Sequence, residues 1–158
     1  MTVTHRYHST LRWDGSTGAG YDHYSRAHQV SCEPADASLQ VSADPSFGGD
    51  AQLLDPEQLL LAAVASCQLL SFLAVAARAR VDVLGYEDHG EAEMPDRTDV
   101  MSVERIVLRP AITLVEGPSI EKIERLVQLA HRECFIANTL RIEPEVIPSI
   151  TFAQAAAT

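Results

Sequence analysis

The chain has 158 residues, 46% of them apolar, and its 22 acidic against 12 basic residues give a formal charge of -10. That size and apolar share suit one domain with one sizeable core, spanning 1–158. The negative charge repels phosphate backbones and anionic lipid, so neither nucleic acid nor a membrane surface fits as a partner. Three cysteines are too few for a disulfide-stapled secreted scaffold, and "MTVTHRYHSTLRW" lacks the basic-then-apolar layout of a secretory signal. The expectation is a cytoplasmic protein whose cysteines are thiols until chemistry oxidises them.

In chain order, residues 5–14 and 20–31 read as two strands forming a hairpin around "DGSTGAG", whose glycines suit a turn. "SADPSFGGDAQLLDP" reads as a loop. Asp55 then stands as N-cap, with Pro56 at the first helical position and Glu57 in the first turn, and the spacing predicts a helix to about Arg80. Its stretch "LLLAAVASCQLLSFLAVAA" carries no charge and is close to the ~20 residues that cross a bilayer. Its alanines, Ser66, Gln68 and Ser71, and the globular composition on both sides, favour the buried axis of a soluble fold instead.

Runs rich in Val, Ile and Leu at 81–94 and 101–115 read as strands separated by "PDRTD". Ile120, Ile123, Leu126, Val127 and Ala130 fall at helical spacing behind Ser119, a second cap. A last strand follows Pro144. The order of strands, long helix, strands, helix and strand defines an α+β class. Two helices apolar around most of their circumference are hard to hide in a small monomer, so a homodimer is expected.

The thiols separate by context. Cys67 lies mid-helix, Cys134 at the end of the second helix, and Cys32 at a strand end with no motif around it, a bystander. The segments "DPEQLLLAAVASC" and "AHRECFIANTL" resemble the two cysteine motifs of the OsmC/Ohr family, the osmotically inducible and organic hydroperoxide resistance proteins. The likeness extends to the N-terminal strands, the "GG" loop and the order of elements. It implies the OsmC-like fold, with antiparallel sheets around two long central helices in an intertwined homodimer. It also implies a thiol peroxidase without metal, haem or flavin, in which Cys67 attacks an organic hydroperoxide and Cys134 resolves the product. Glu57 matches the acid of the helix start, and Arg26 in "YSRAHQV" matches the arginine on the second N-terminal strand of the hydroperoxide branch. An external dithiol of lipoyl type is the implied reductant. The chain departs from the pattern at Gln68, where an aromatic residue is usual, and at Phe135, where proline is common.

The chemistry gives these residues their reasons. A thiol of pKa ~8.5 is mostly protonated at neutral pH and burial raises the value, so a buried reactive cysteine needs a cation such as Arg26. The guanidinium would hold the thiolate and the peroxide oxygen that leaves, and Glu57 would orient it. Sulfenic acid formed on Cys67 condenses with Cys134 to a disulfide, which spares it from over-oxidation. Glu57 and Cys67 are ten residues apart on one helix, about 15 Å, so either Arg26 bridges them or Glu57 serves the neighbouring subunit. Leu70, Phe72, Leu73 and Phe135 are candidates for an apolar substrate pocket, or else core. His131, three residues before Cys134, reads as a packing and hydrogen-bonding residue rather than a zinc ligand. The other function class is a non-catalytic OsmC-like dimer that binds a small hydrophobic ligand.

Overall fold

A computed structural model describes residues 2–96 and 99–153. The chain divides into two compact units, Met1–Leu59 and Leu60–Thr158.

The N-terminal unit is built on a three-stranded antiparallel sheet of β1 (Thr10–Arg12), β2 (His28–Ser31) and β3 (Ser38–Val41). Leu11 pairs with Val30, and Val30 with Leu39. The first two strands do pair, but the expected tight hairpin is instead a long excursion through 13–27. An aromatic cluster shapes it: Trp13 meets Tyr24 edge-on at 6.2 Å, and Trp13 Nε1 donates to the Ser25 carbonyl at 2.7 Å. The third strand, "SLQV", is too short and polar to announce itself by alternation, and it forms because β2 offers it a full register of partners.

Beyond β3 the "GG" loop folds back on itself. Ser42 N donates to Leu54 O at 2.8 Å, and Val41 bridges Leu54 in parallel. Gly49 is obligatory here, because a Cβ at that position would lie 1.6 Å from the Ala43 carbonyl oxygen.

Helix α1 runs Pro56–Arg78. Its start is a reciprocal cap: Gln58 N donates to Asp55 Oδ1 at 2.7 Å, while Asp55 N donates to Gln58 Oε1 at 3.2 Å. Asp55 and Pro56 were legible as a helix start; the returning amide of Gln58 was not. The helix ends two residues earlier than expected, where Arg80 adopts φ 56°. There Val81 N donates to Ala76 O at 2.9 Å and Arg80 N to Ala77 O at 3.1 Å, the paired bonds that close a helix through a left-handed residue.

In the C-terminal unit, each of the two expected strand regions is divided. The first gives β4 (Val83–Asp88) and β5 (Glu91–Glu93), and the second gives β6 (Arg105–Leu108) and β7 (Pro110–Val115). The break falls at the Asp88–Gly90 corner and at Arg109, which are tied together by Arg109 N donating to Asp88 Oδ1 at 2.7 Å. Of the separating "PDRTD", Arg97 and Thr98 lie outside the described residues. Helix α2 (Ile120–Glu133) begins at the expected cap, Lys122 N donating to Ser119 Oγ at 3.3 Å. The last strand region is split before Pro148 into β8 (Glu145–Val146) and β9 (Ser149–Ala153).

Two sheets result, ordered β4-β7-β9 and β5-β6-β8. Each joins an antiparallel pair to a parallel one, β7 with β9 and β6 with β8. The parallel pairs arise because α2 lies between β7 and β9 in the chain and serves as the crossover.

The core of this unit has two clusters. Phe72, Val75 and Ala76 of α1 join Ile112 and Leu114 of β7 and Ile123, Val127 and Ala130 of α2. Val64 joins Ile106 and Leu108 of β6. Helix α1 is long and apolar enough to cross a membrane by length and composition, yet it contributes this buried stripe to a packed core. The opposite face, with Ala62, Ala63, Ser66, Leu70, Leu73, Ala74 and Ala77, is exposed in the chain.

Candidate active site

In the C-terminal unit the fold brings Cys67 and Cys134 together. Cys67 is half-buried on α1, and Cys134 caps the C-terminus of α2 with no exposed surface. Both are thiols. Burial pushes the Cys134 thiol up to about 11. The Ala137 backbone N–H, 3.5 Å from its sulfur, offsets part of that, and interaction with the neighbouring Cys67 thiol adds to it. The turn that follows α2 locks Cys134 in place: Cys134 N donates to His131 O at 3.1 Å, and Asn138 N donates to Cys134 O at 3.0 Å.

The pair is therefore asymmetric. One cysteine is partly exposed; the other is enclosed and held protonated. His131 is a helix-end residue, as expected, with Nε2 3.7 Å from Glu143 Oε1.

Gln68, next to Cys67 in the chain, is 1% exposed. Its Nε2 donates to the Val127 carbonyl on α2 at 3.5 Å, and among the described residues its Oε1 has no partner. Nothing in the periodicity of α1 singled out this amide as a buried one.

Arg26 and Glu57 both belong to the N-terminal unit. The Arg26 guanidinium lies between two rings, its Cζ 4.1 Å from the centroid of Tyr24 and 4.6 Å from that of Tyr21. Its Nη1 donates to the Tyr24 carbonyl at 2.8 Å and its Nη2 to the Tyr21 carbonyl at 2.7 Å. Gly48 makes room for it, since a Cβ there would stand 2.9 Å from Cζ. Within the chain, then, aromatic faces and carbonyl dipoles orient this cation, whereas Glu57 was expected to do so. None of these contacts neutralises it, and among the described residues it makes no ion pair. Glu57 is half-buried in the first turn of α1. Tyr21 and Tyr24 were missed at the sequence level; "YDHYSR", with two tyrosines just before an arginine, was the available signal.

The four candidate pocket residues do not enclose a pocket within the described chain. Phe72 is fully buried core, packed on Tyr86 at 6.0 Å, while Leu70, Leu73 and Phe135 are exposed. Cys32 is exposed at the end of β2, away from any motif.

Comparison with known proteins places this arrangement. The sequence model of the OsmC-like protein family matches residues 49–149. The chain belongs to the OsmC-like family. Among solved structures, this OsmC-like protein is similar to an OsmC-like protein of unknown function from Vibrio cholerae, at 28% identity and TM-score 0.80 over 94% of this chain and 100% of that one. An organic hydroperoxide resistance protein OsmC from Legionella pneumophila shares the fold at 18% identity and TM-score 0.66, over 95% of this chain and 99% of that one. The organic hydroperoxide resistance protein OhrB of Bacillus subtilis does so at 17% identity and TM-score 0.64, over 93% and 98%. No curated protein matches the sequence. The family thus includes organic hydroperoxide resistance proteins, and the OsmC-like fold expected from the two cysteine motifs is the one observed.

Proposed function

We propose that this protein is a cysteine-based peroxidase that reduces organic hydroperoxides through Cys67 and Cys134. The observation that carries the reading is the asymmetric thiol pair: a half-exposed Cys67 in contact with an enclosed Cys134 whose pKa is pushed up to about 11. The attacking sulfur must meet substrate, and the resolving sulfur must wait beside it without competing for peroxide. The partly exposed position of Cys67 suits the first role, and the enclosed, protonated Cys134 suits the second.

In this reaction the Cys67 thiolate attacks the outer peroxide oxygen. The O–O bond breaks, an alkoxide leaves as the alcohol after taking a proton, and Cys67 becomes a sulfenic acid. Cys134 then displaces water to give the Cys67–Cys134 disulfide, and an external dithiol, lipoyl-type by family, returns both thiols by exchange. Arg26 is the proposed cation. Its charge is fixed in direction by Tyr21 and Tyr24 yet not neutralised by a carboxylate among the described residues, which leaves it free to stabilise a thiolate or a departing oxygen. Glu57 is proposed to complete the site from the neighbouring subunit.

A homodimer is part of the proposal, with the two units working as one OsmC-like domain in the reducing cytoplasm. The exposed face of α1, where Leu70 is 64% exposed, is an apolar strip of the kind an isologous interface covers.

One observation favours the second reading, a non-catalytic dimer that binds a small hydrophobic ligand. The N-terminal unit carries a groove of about 340 Å³ lined by Leu11, Trp13, Tyr24, His28, Ala43 and Pro56 among others. Anaerobic thiol titration before and after one equivalent of cumene hydroperoxide separates the two. The peroxidase loses two thiols per chain and Cys67→Ser loses none. A wild type that keeps all its thiols supports the ligand-binding reading.

A further inference from the structure

Closure of the Cys67–Cys134 bridge needs no outside oxidant. The Cys134 proton passes to the sulfenic oxygen of Cys67, the S–S bond forms, the S–O bond breaks, and water leaves; one sulfur is oxidised as the other is reduced. The difficult moment is loss of a proton by a thiol with no exposed surface, because solvent cannot stabilise the thiolate as it develops.

A candidate donor lies within the same unit, near enough to Cys134 for their charges to interact. Tyr86 on β4 packs its ring on Phe72 at 6.0 Å and rests against the core cluster that contains Ala130. Cys134 follows Ala130 by four residues at the end of the same helix, so the two occupy one face of it. The Tyr86 hydroxyl is buried and has no hydrogen-bond partner among the described residues. Two residues on, Asp88 takes Arg109 N on its Oδ1 at 2.7 Å and leaves a buried Oδ2 without a partner among the described residues. An unpartnered buried hydroxyl is a standing cost to the fold, which such groups usually escape by pairing.

We propose that Tyr86 is a catalytic residue of the resolving step, its hydroxyl donating a hydrogen bond to the Cys134 sulfur as that sulfur becomes a thiolate. The inference rests on the peroxidase reading above. Burial, together with the negative charge that Asp88 and Cys134 can carry, pushes the Tyr86 phenol far above its ordinary range and keeps it a donor. A donor unpaired while the thiol is neutral and engaged once a thiolate forms stabilises the transition state over the ground state.

The test is Tyr86→Phe, which preserves the ring packed on Phe72. Stopped-flow release of cumyl alcohol from cumene hydroperoxide reads the first step, and decay of dimedone-trappable sulfenic acid reads the second. The expected result is an unchanged alcohol burst with closure slowed about 10- to 100-fold and sulfenic acid accumulating on Cys67. Closure at the wild-type rate after a normal burst overturns the role of Tyr86 and leaves the peroxidase reading standing. Absence of any burst in the wild type removes the reading and this inference with it. Should Tyr86→Phe not fold, 3-fluorotyrosine at position 86 supplies a stronger donor of nearly the same shape; faster closure supports the role and an unchanged rate overturns it.

Discussion

Gln68→Met exchanges a buried amide for a thioether of nearly the same length, and the structure fixes the sign of the effect. What is lost is one long contact, Nε2 to the Val127 carbonyl at 3.5 Å, worth at most about 0.5–1 kcal/mol. Val127 lies inside α2, so its carbonyl keeps its helical partner. What is relieved is the desolvation of Oε1, buried without a partner among the described residues, a cost of about 1–3 kcal/mol. The new thioether buries apolar surface in the same space, which adds to the gain. The net expectation is a stabilisation of about 2 kcal/mol, or roughly 4–8 °C in Tm for a chain of this length. Urea and thermal unfolding at one fixed protein concentration measure it. A destabilisation of more than about 1 kcal/mol would mean that the amide oxygen has a strong partner in solution, and the reasoning from an unpartnered group would fail.

The remaining expectations follow from other elements. Arg80 holds φ 56° at the end of α1, so Arg80→Gly removes left-handed strain and stabilises by about 1 kcal/mol in urea unfolding. Cys134 is held protonated, burial pushing its pKa up to about 11 from the ordinary 9.0 of a thiol. The folded state therefore prefers the neutral thiol, and this contribution is intact below about pH 9 and lost as pH rises through about 11. Unfolding of wild type compared with Cys134→Ala across that window shows the loss in the wild type only. Leu70→Glu places a charge on the exposed face of α1 and gives a monomer in analytical ultracentrifugation, with unchanged far-UV circular dichroism. A dimer that persists with full affinity moves the interface elsewhere. Gly48→Ala drives a Cβ to within 2.9 Å of the Arg26 guanidinium, so peroxidase turnover falls at least several-fold while Cys67 alkylation remains complete.

Much of the fold was legible where a local rule and the tertiary packing agree. The starts of both helices could be read from Asp55–Pro56 and from Ser119, because a cap satisfies backbone donors within its own turn. The pairing of Cys67 with Cys134 came from the two motifs, and the fold does bring those sulfurs together. What could not be read were features that depend on distant partners. β3 exists because β2 pairs with it, and the strand regions divide because Asp88 captures the backbone N–H of Arg109. The orientation of Arg26 depends on rings at Tyr21 and Tyr24 brought against it by the loop, which an analysis of charge and spacing does not see. Phe72 was left open between pocket and core, and the burial of Gln68 went unread, for the same reason: on a helix with apolar residues all round, the sequence does not mark which face is buried.

The most direct measurement is peptide-resolved mass spectrometry of the protein after one equivalent of cumene hydroperoxide, with free thiols alkylated on quenching. The peroxidase reading predicts one cross-linked species joining the peptides of Cys67 and Cys134, with Cys32 alkylated as a free thiol. Cys67 and Cys134 both recovered as alkylated thiols, with the hydroperoxide unconsumed, would contradict it.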